Sequence, residues 1–279
     1  MKILVGVTHR IENEFEECLE SLNRQSYRNF EVMVIENLPL KEASYRLYKT
    51  FMDRAEEFQL LIKVDADMVI ENKELFSKVV DKFSQDRELE KLEIAVQNFF
   101  SDQLIWSMNV YRNTVRWIQS SEDLFVDDDA FVSPLHVQHD DRTLAPAALH
   151  CKNPSSFQSF HFGVYNMLKV IQPHLAEKRR YYADYYWNVA EKTYQNLLFS
   201  KDRRIGFAVL GGELAIEEDF LPEHISYSNP YLSEVFKSYE DYNDQQLWSE
   251  IAKLRNKHWG ILPSHLRKKW VCSLRQGAV

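Results

Sequence analysis

Glycine is scarce in this chain, with 7 residues among 279, where an average composition would supply roughly 20. Phosphate cradles built on glycine need the backbone to approach the ligand closely, and none is present. There is no GxGxxG, no GxxxxGKS/T and no GxSxG elbow. Cysteine is scarce too. Cys18, Cys151 and Cys272 are odd in number and widely spaced, which excludes a disulfide framework or a zinc knuckle and fits a reducing compartment. No apolar run approaches the roughly 20 residues of a membrane span. The apolar segment after Met1-Lys2 is too short for a signal-peptide core. These features predict a cytoplasmic protein. A general excess of basic residues is also missing. The net charge is −8, so no nucleic-acid partner is expected.

The charge is unevenly spread. From Lys253 onward the chain carries Lys253, Arg255, Lys257, Arg267, Lys268, Lys269 and Arg275 with no Asp or Glu, and with Trp259 and Trp270 among them. One reading is a solvated terminal helix and tail. The other is a patch that meets anionic lipid or an anionic acceptor, which would make the protein peripheral to the inner face of a membrane.

What is abundant is a regular alternation. The apolar runs "KILVGV" (2–7), "FEVMVIE" (30–36), "FQLLIKV" (58–64) and "LEIAVQNF" (92–99) read as buried strands. Between them, Ile11, Phe15, Cys18, Leu19 and Leu22 follow helical spacing, as do Ala43, Leu47, Tyr48, Phe51 and Ala55. Leu75, Phe76, Val79, Val80 and Phe83 mark a third helix, with Asn72 as its N-cap. Strands alternating with helices predict an α/β fold with a mostly parallel sheet flanked by helices. After about residue 100 the alternation stops. "LIWSMNVY" (104–111) is compatible with a strand, and from 157 to 200 the pattern is helical and rich in tyrosine. The expected division is a domain over 1–155 and a mainly helical C-terminal region over 156–279.

Ligands of such sheets bind outside the carboxyl ends of the strands. Here those ends carry Thr8-His9-Arg10, Glu36-Asn37 and Asp65-Ala66-Asp67. Two carboxylates two residues apart, closing a buried strand, repel each other unless a cation binds. Oxygen ligands of this kind suit Mg²⁺ or Mn²⁺, often together with substrate phosphates. The plain alternative is a capped turn opening the next helix. His136 and His139 lack the cysteines or the HExxH pattern of a zinc site. His161 and the tyrosines of 181–194 are explained by core packing.

The stretch "ILVGVTHRIENEFEECLESLNRQSYRNFEVMVIEN" followed by "LLIKVDADMVI" resembles the nucleotide-sugar-binding half of GT-A fold glycosyltransferases of the family 2 type. "CLESLNRQSY" (18–27) is its closest match, and the resemblance covers about a third of the chain. It implies a metal-dependent transferase that moves a sugar from a nucleoside diphosphate sugar to a hydroxyl of a glycan or lipid-linked glycan, with inversion, in cell-surface polysaccharide assembly. It implies that Asp65 and Asp67 hold Mn²⁺ or Mg²⁺ against the donor diphosphate and that His150 completes the metal site. Thr8 and Arg10 would lie beside the nucleotide, Glu36 at its base or ribose, and Lys63 and Asp65 at the donor. Asp128, with Asp127 next to it, would be the general base, and Glu122-Asp123 is the rival pair. Glu36-Asn37-Leu38-Pro39 departs from the family's usual Asp and small turn, which leaves the nucleotide open. A nucleotidyltransferase would want a glycine-rich basic loop after the first strand, which "VGVTHRIENEFEE" lacks. A non-catalytic nucleotide-sugar or glycan binder is the remaining alternative.

Overall fold

The computed structural model describes residues 1–120, 124–125, 131–140, 142–171, 180–217, 220–227 and 229–258. The chain forms two compact units, Met1–Phe99 with Gln103–Asn153, and Phe100–Asp102 with Pro154–Val279.

The first unit is α/β. Its elements are β1 (Ile3–His9), α1 (Phe15–Asn23), β2 (Phe30–Glu36), α2 (Leu40–Asp53), β3 (Leu60–Asp65), β4 (Met68–Val69), α3 (Leu75–Gln85), β5 (Lys91–Asn98), β6 (Gln103–Arg112), β7 (Val137–Asp140) and β8 (Leu149–His150). The sheet runs in the order β2-β1-β3-β6-β5-β8-β4, with β7 beside β5. Strands β1, β2 and β3 are parallel. The sheet as a whole is mixed, because β6 runs antiparallel to both β3 and β5. That placement follows from the short connection between β5 and β6, which permits a hairpin but no crossover helix.

Alternate strand residues face opposite sides of the sheet. Val5, Val7, Ile62 and Val64 pack with Leu22 of α1 and with Phe76, Val79 and Phe83 of α3. Leu4 and Leu61 pack with Leu47, Tyr48 and Phe51 of α2 on the other face. Both faces are therefore covered, which is why these strands read as unbroken apolar runs. Trp117 seals the α2 side by stacking on Tyr48 at 4.7 Å. At the entry to α3 the Asn72 side chain accepts a hydrogen bond from the Glu74 N–H at 3.0 Å. The N-cap of α3 is Glu74, with no side-chain cap, so Asn72 stabilises the turn before the helix and is not the cap expected from the sequence.

The second unit is helical: α4 (Ser156–Ile171), α5 (Arg180–Ser200), α6 (Arg203–Glu217), a short 3-10 helix (Pro222–Ile225), α7 (Pro230–Lys237) and α8 (Asp244–His258). Ser155 and Gln158 cap α4 reciprocally, the Gln158 N–H donating to Ser155 Oγ at 3.0 Å and the Ser155 N–H to Gln158 Oε1 at 3.4 Å. Helices α4 and α6 touch backbone to backbone. A Cβ on Gly163 would lie 1.8 Å from the Ala208 carbonyl oxygen, and one on Gly211 would lie 2.1 Å from that of Phe160.

Part of the basic run is used inside this unit. Arg255, buried, donates to Glu213 at 2.7 Å and Glu191 at 3.0 Å and lies over the Tyr194 ring. Lys257 pairs with Glu217 and Lys253 with Glu250. His258 is fully buried between Glu213 and Glu217. Burial disfavours its charge, but the hydrogen bond and charge of Glu213, then those of Glu217, outweigh this and raise its pKa. Arg267, Lys268, Lys269, Arg275, Trp259 and Trp270 lie outside the described residues. Among the described residues no helix is long and apolar enough to cross a membrane.

Candidate metal centre

The parallel register sets Thr8 beside Asp65 and His9 beside Glu36. The carboxyl ends of the first three strands thus share one edge of the first unit. His9 stacks on Phe15 with ring centroids 3.7 Å apart and reaches Glu36 at 3.4 Å. Glu36 is otherwise exposed, and Arg10 lies in the bend that follows β1.

Asp65 and Asp67 are not equivalent. Asp65 ends β3 and turns toward its own strand. It accepts from Lys63 Nζ at 3.1 Å and from Thr8 Oγ1 at 3.4 Å. Lys63 is buried, so it positions Asp65 from within the sheet. Asp67 sits one turn later, immediately before β4. There the chain pairs with β8, Met68 opposite His150 and Val69 opposite Leu149. This pairing carries His150 across the sheet to Asp67. His150 Nε2 lies 3.5 Å from Asp67 Oδ2.

Cys151 follows His150 and completes the group. Its thiol donates to Asp67 Oδ2 at 3.1 Å and lies 3.8 Å from His150 Nε2. Its backbone N–H donates to the Asp67 carbonyl at 2.9 Å. The ligating atoms of Asp67, His150 and Cys151 all lie within 4.8 Å of one another. Asp67 Oδ1 is buried and has no hydrogen-bond partner. An acceptor in that state is costly unless a donor or a cation meets it. A carboxylate, an imidazole and a sulfur so placed form a donor set that fits a divalent transition-metal ion.

Behind the imidazole, buried Asn98 holds His150 Nδ1 at 2.9 Å. With the amide nitrogen donating to Nδ1, Nε2 keeps the ring proton and lies 3.5 Å from Asp67 Oδ2. With the amide turned over, its oxygen accepts from Nδ1–H and Nε2 presents a lone pair, as a cation ligand requires. Asn98 can serve both tautomers, as a partner behind a metal-binding histidine does.

The electrostatics of the edge are negative. Glu12 accepts from the backbone N–H of Arg10 at 2.6 Å and of Ile11 at 3.1 Å. Burial, then the charges of Asp67 and Asp65, nevertheless push its carboxyl up to about 7. The same causes raise the Cys18 thiol to about 12. Burial and Asp67 hold the Cys151 thiol well above its ordinary value.

Of the residues expected from the sequence, Asp67 and His150 are thus brought together, while Asp65, Lys63 and Thr8 form an adjoining cluster. Asp127, Asp128 and the rival pair Glu122-Asp123 lie outside the described residues. His161 belongs to the second unit, where it stacks on Tyr227 and bonds the Ile225 carbonyl at 2.6 Å. Sequence reasoning missed Cys151, Glu12 and Asn98. A cysteine directly after the candidate histidine was the available signal for the first, and an acid in the polar turn after β1 for the second.

No family model and no curated protein matches the chain. Among solved structures, the A197 protein from STIV is similar at 12% identity and a TM-score of 0.32, over 40% of this chain and 65% of that one. A mannosyltransferase from Pyrobaculum calidifontis, solved in complex with GDP-Man and Mn²⁺, is similar at 12% identity and a TM-score of 0.31, over 91% of this chain and 84% of that one.

Proposed function

We propose that the protein is a divalent-cation-dependent glycosyltransferase acting on a nucleoside diphosphate sugar. The observation that carries this reading is the meeting of Asp67 with His150 at the carboxyl end of β3, 3.5 Å apart, beside an orphaned carboxylate oxygen. The GT-A resemblance of the first hundred residues supplies the reaction class. Mn²⁺ or Mg²⁺ is the cation that resemblance implies.

Asp67 and His150 would hold the cation, and Asp65, oriented by Lys63 and Thr8, would face the donor. A bound cation supplies charge that offsets the negative charge developing on a leaving diphosphate. The polar edge built from Thr8, Arg10 and Glu36 would orient the nucleoside. Asp128, or Asp127 beside it, would take the proton from the attacking hydroxyl of a glycan or lipid-linked glycan.

A thermal-shift screen tests this. Ligand binding to the folded state raises the melting temperature by mass action. Nucleoside diphosphates and nucleotide sugars, GDP-mannose among them, are added with and without Mn²⁺ to wild type and to Asp67→Ala. The reading predicts a Mn²⁺-dependent rise with one nucleotide, lost in the variant. No shift of folded wild type with any nucleotide would overturn it.

A further inference from the structure

The geometry points to Cys151 as a direct cation ligand, so that the centre is a mixed carboxylate, imidazole and thiolate site that selects Zn²⁺-like ions over Mg²⁺. The inference rests on the cation-dependent reading above and refines which cation the site is built for.

Four observations carry it. The Cys151 sulfur lies 3.1 Å from Asp67 Oδ2 and 3.8 Å from His150 Nε2, so all three donor atoms face one point, within 4.8 Å of one another. The residue is 2% exposed, so solvent does not hold its thiol there. Its backbone sits at φ 53°, in the left-handed region that side-chain-bearing residues seldom occupy, and this conformation follows directly on the β8 residue paired with β4. Finally, the three donors differ in kind. Magnesium takes oxygen ligands and keeps several waters. Sulfur beside imidazole and carboxylate suits Zn²⁺ and its chemical neighbours. Three protein ligands with one position left over is the arrangement of a zinc centre that also binds substrate.

Cation binding would replace the thiol proton. The S–H bond breaks, the proton leaves to solvent, and the sulfur lone pair forms the metal bond, with no change in oxidation state. Asp67 Oδ2, which accepts that S–H in the absence of a cation, becomes free to ligate at the same moment.

Co²⁺ is the probe, because a sulfur ligand gives it an intense charge-transfer absorption in the near ultraviolet that oxygen and nitrogen ligands do not. Titration of the full chain with Co²⁺ should produce this band. The band should persist in the Cys18→Ala/Cys272→Ala double variant, where Cys151 is the remaining thiol, and be lost in Cys151→Ser. Equimolar Zn²⁺ should displace the Co²⁺, and a large excess of Mg²⁺ should not. Should Cys151→Ser fail to fold, the band in the double variant still assigns the ligand. Co²⁺ bound without the band, a band lost in the double variant, displacement by Mg²⁺ as effective as by Zn²⁺, or no Co²⁺ binding would each overturn the inference. Co²⁺ bound without the band, together with a nucleotide-dependent thermal shift, would overturn the thiolate alone and leave the transferase reading in place. A Cys151 band with no nucleotide binding would do the reverse.

Discussion

Glu12 reports how buried the edge of the candidate centre is and how its carboxylates act on one another. Its carboxyl is raised from 4.5 to about 7, first by burial and then by Asp67 and Asp65. Its side chain is 14% exposed, so solvent screens it little. Below pH 4.5 the native and unfolded chains both hold the proton. Between 4.5 and about 7 the native chain keeps a proton that the unfolded chain has released, so stability falls as the pH rises through that window. A rise of this size corresponds to about 3 kcal/mol by pH 8. Glu12→Gln retains a neutral oxygen for the Arg10 and Ile11 N–H groups and removes the charge. The variant should therefore match wild type near pH 4.5 and exceed it by up to about 3 kcal/mol at pH 8, the limit being reached if the neutral oxygen accepts as well as the charged one. Native-state hydrogen exchange at the amides of β1 and β3, in the full chain with chelator present, reads this difference. Stabilities of the two proteins that run parallel in pH, or a variant weaker at pH 8, would refute the argument that burial and the neighbouring carboxylates hold a proton on Glu12.

Other outcomes follow from contacts elsewhere. Asn98→Ala removes the group behind His150 Nδ1 and should weaken cation affinity about 10- to 100-fold, measured by calorimetry, with little change in melting temperature beyond the lost hydrogen bond. Gly163→Ala sets a methyl group 1.8 Å from the Ala208 carbonyl oxygen. It should destabilise the second unit by about 1–3 kcal/mol or more by forcing α4 from α6, read as lost exchange protection in those helices. Arg255→Met removes the buried partner of Glu191 and leaves Glu213 with His258 alone, and should cost about 3–5 kcal/mol in urea unfolding at pH 7. His258, whose pKa is raised, adds stability that is complete below its unfolded value of 6.5 and is lost as the pH rises through the folded value. In His258→Gln that alkaline decline of the second unit should be flattened.

Much of the first unit could be read from the chain. Strands β1 and β3 are covered on both faces and so appear as apolar runs, while β5 shows its buried face through Leu92, Ile94 and Val96. Helices α1, α2 and α3 show their apolar stripes at helical spacing. Strand direction was less legible. The run 104–111 reads as a strand, but its place between β3 and β5, antiparallel to both, depends on pairing with residues more than forty positions earlier. The centre itself hangs on two pieces of sheet of two residues each, β4 and β8. Pieces that short have no periodicity to detect, yet their pairing delivers His150 and Cys151 to Asp67 from some eighty residues away. Cys151 in isolation reads as a small buried residue, and the raised pKa of Glu12 arises only once the fold buries it beside Asp67 and Asp65.

The central claim is that this edge of the sheet releases a nucleoside diphosphate from a nucleotide sugar with the help of a cation held by Asp67 and His150. Its most direct test is diphosphate release from a panel of nucleotide sugars with water as the hydroxyl acceptor of the sugar, with Mn²⁺, Mg²⁺ or Zn²⁺ or with chelator, by wild type and by Asp67→Ala. The account predicts release from one nucleotide sugar, abolished by chelator and by the variant while exchange protection of β1 and β3 is retained. Folded wild type that binds no nucleotide sugar and releases no diphosphate with any of these cations would contradict it.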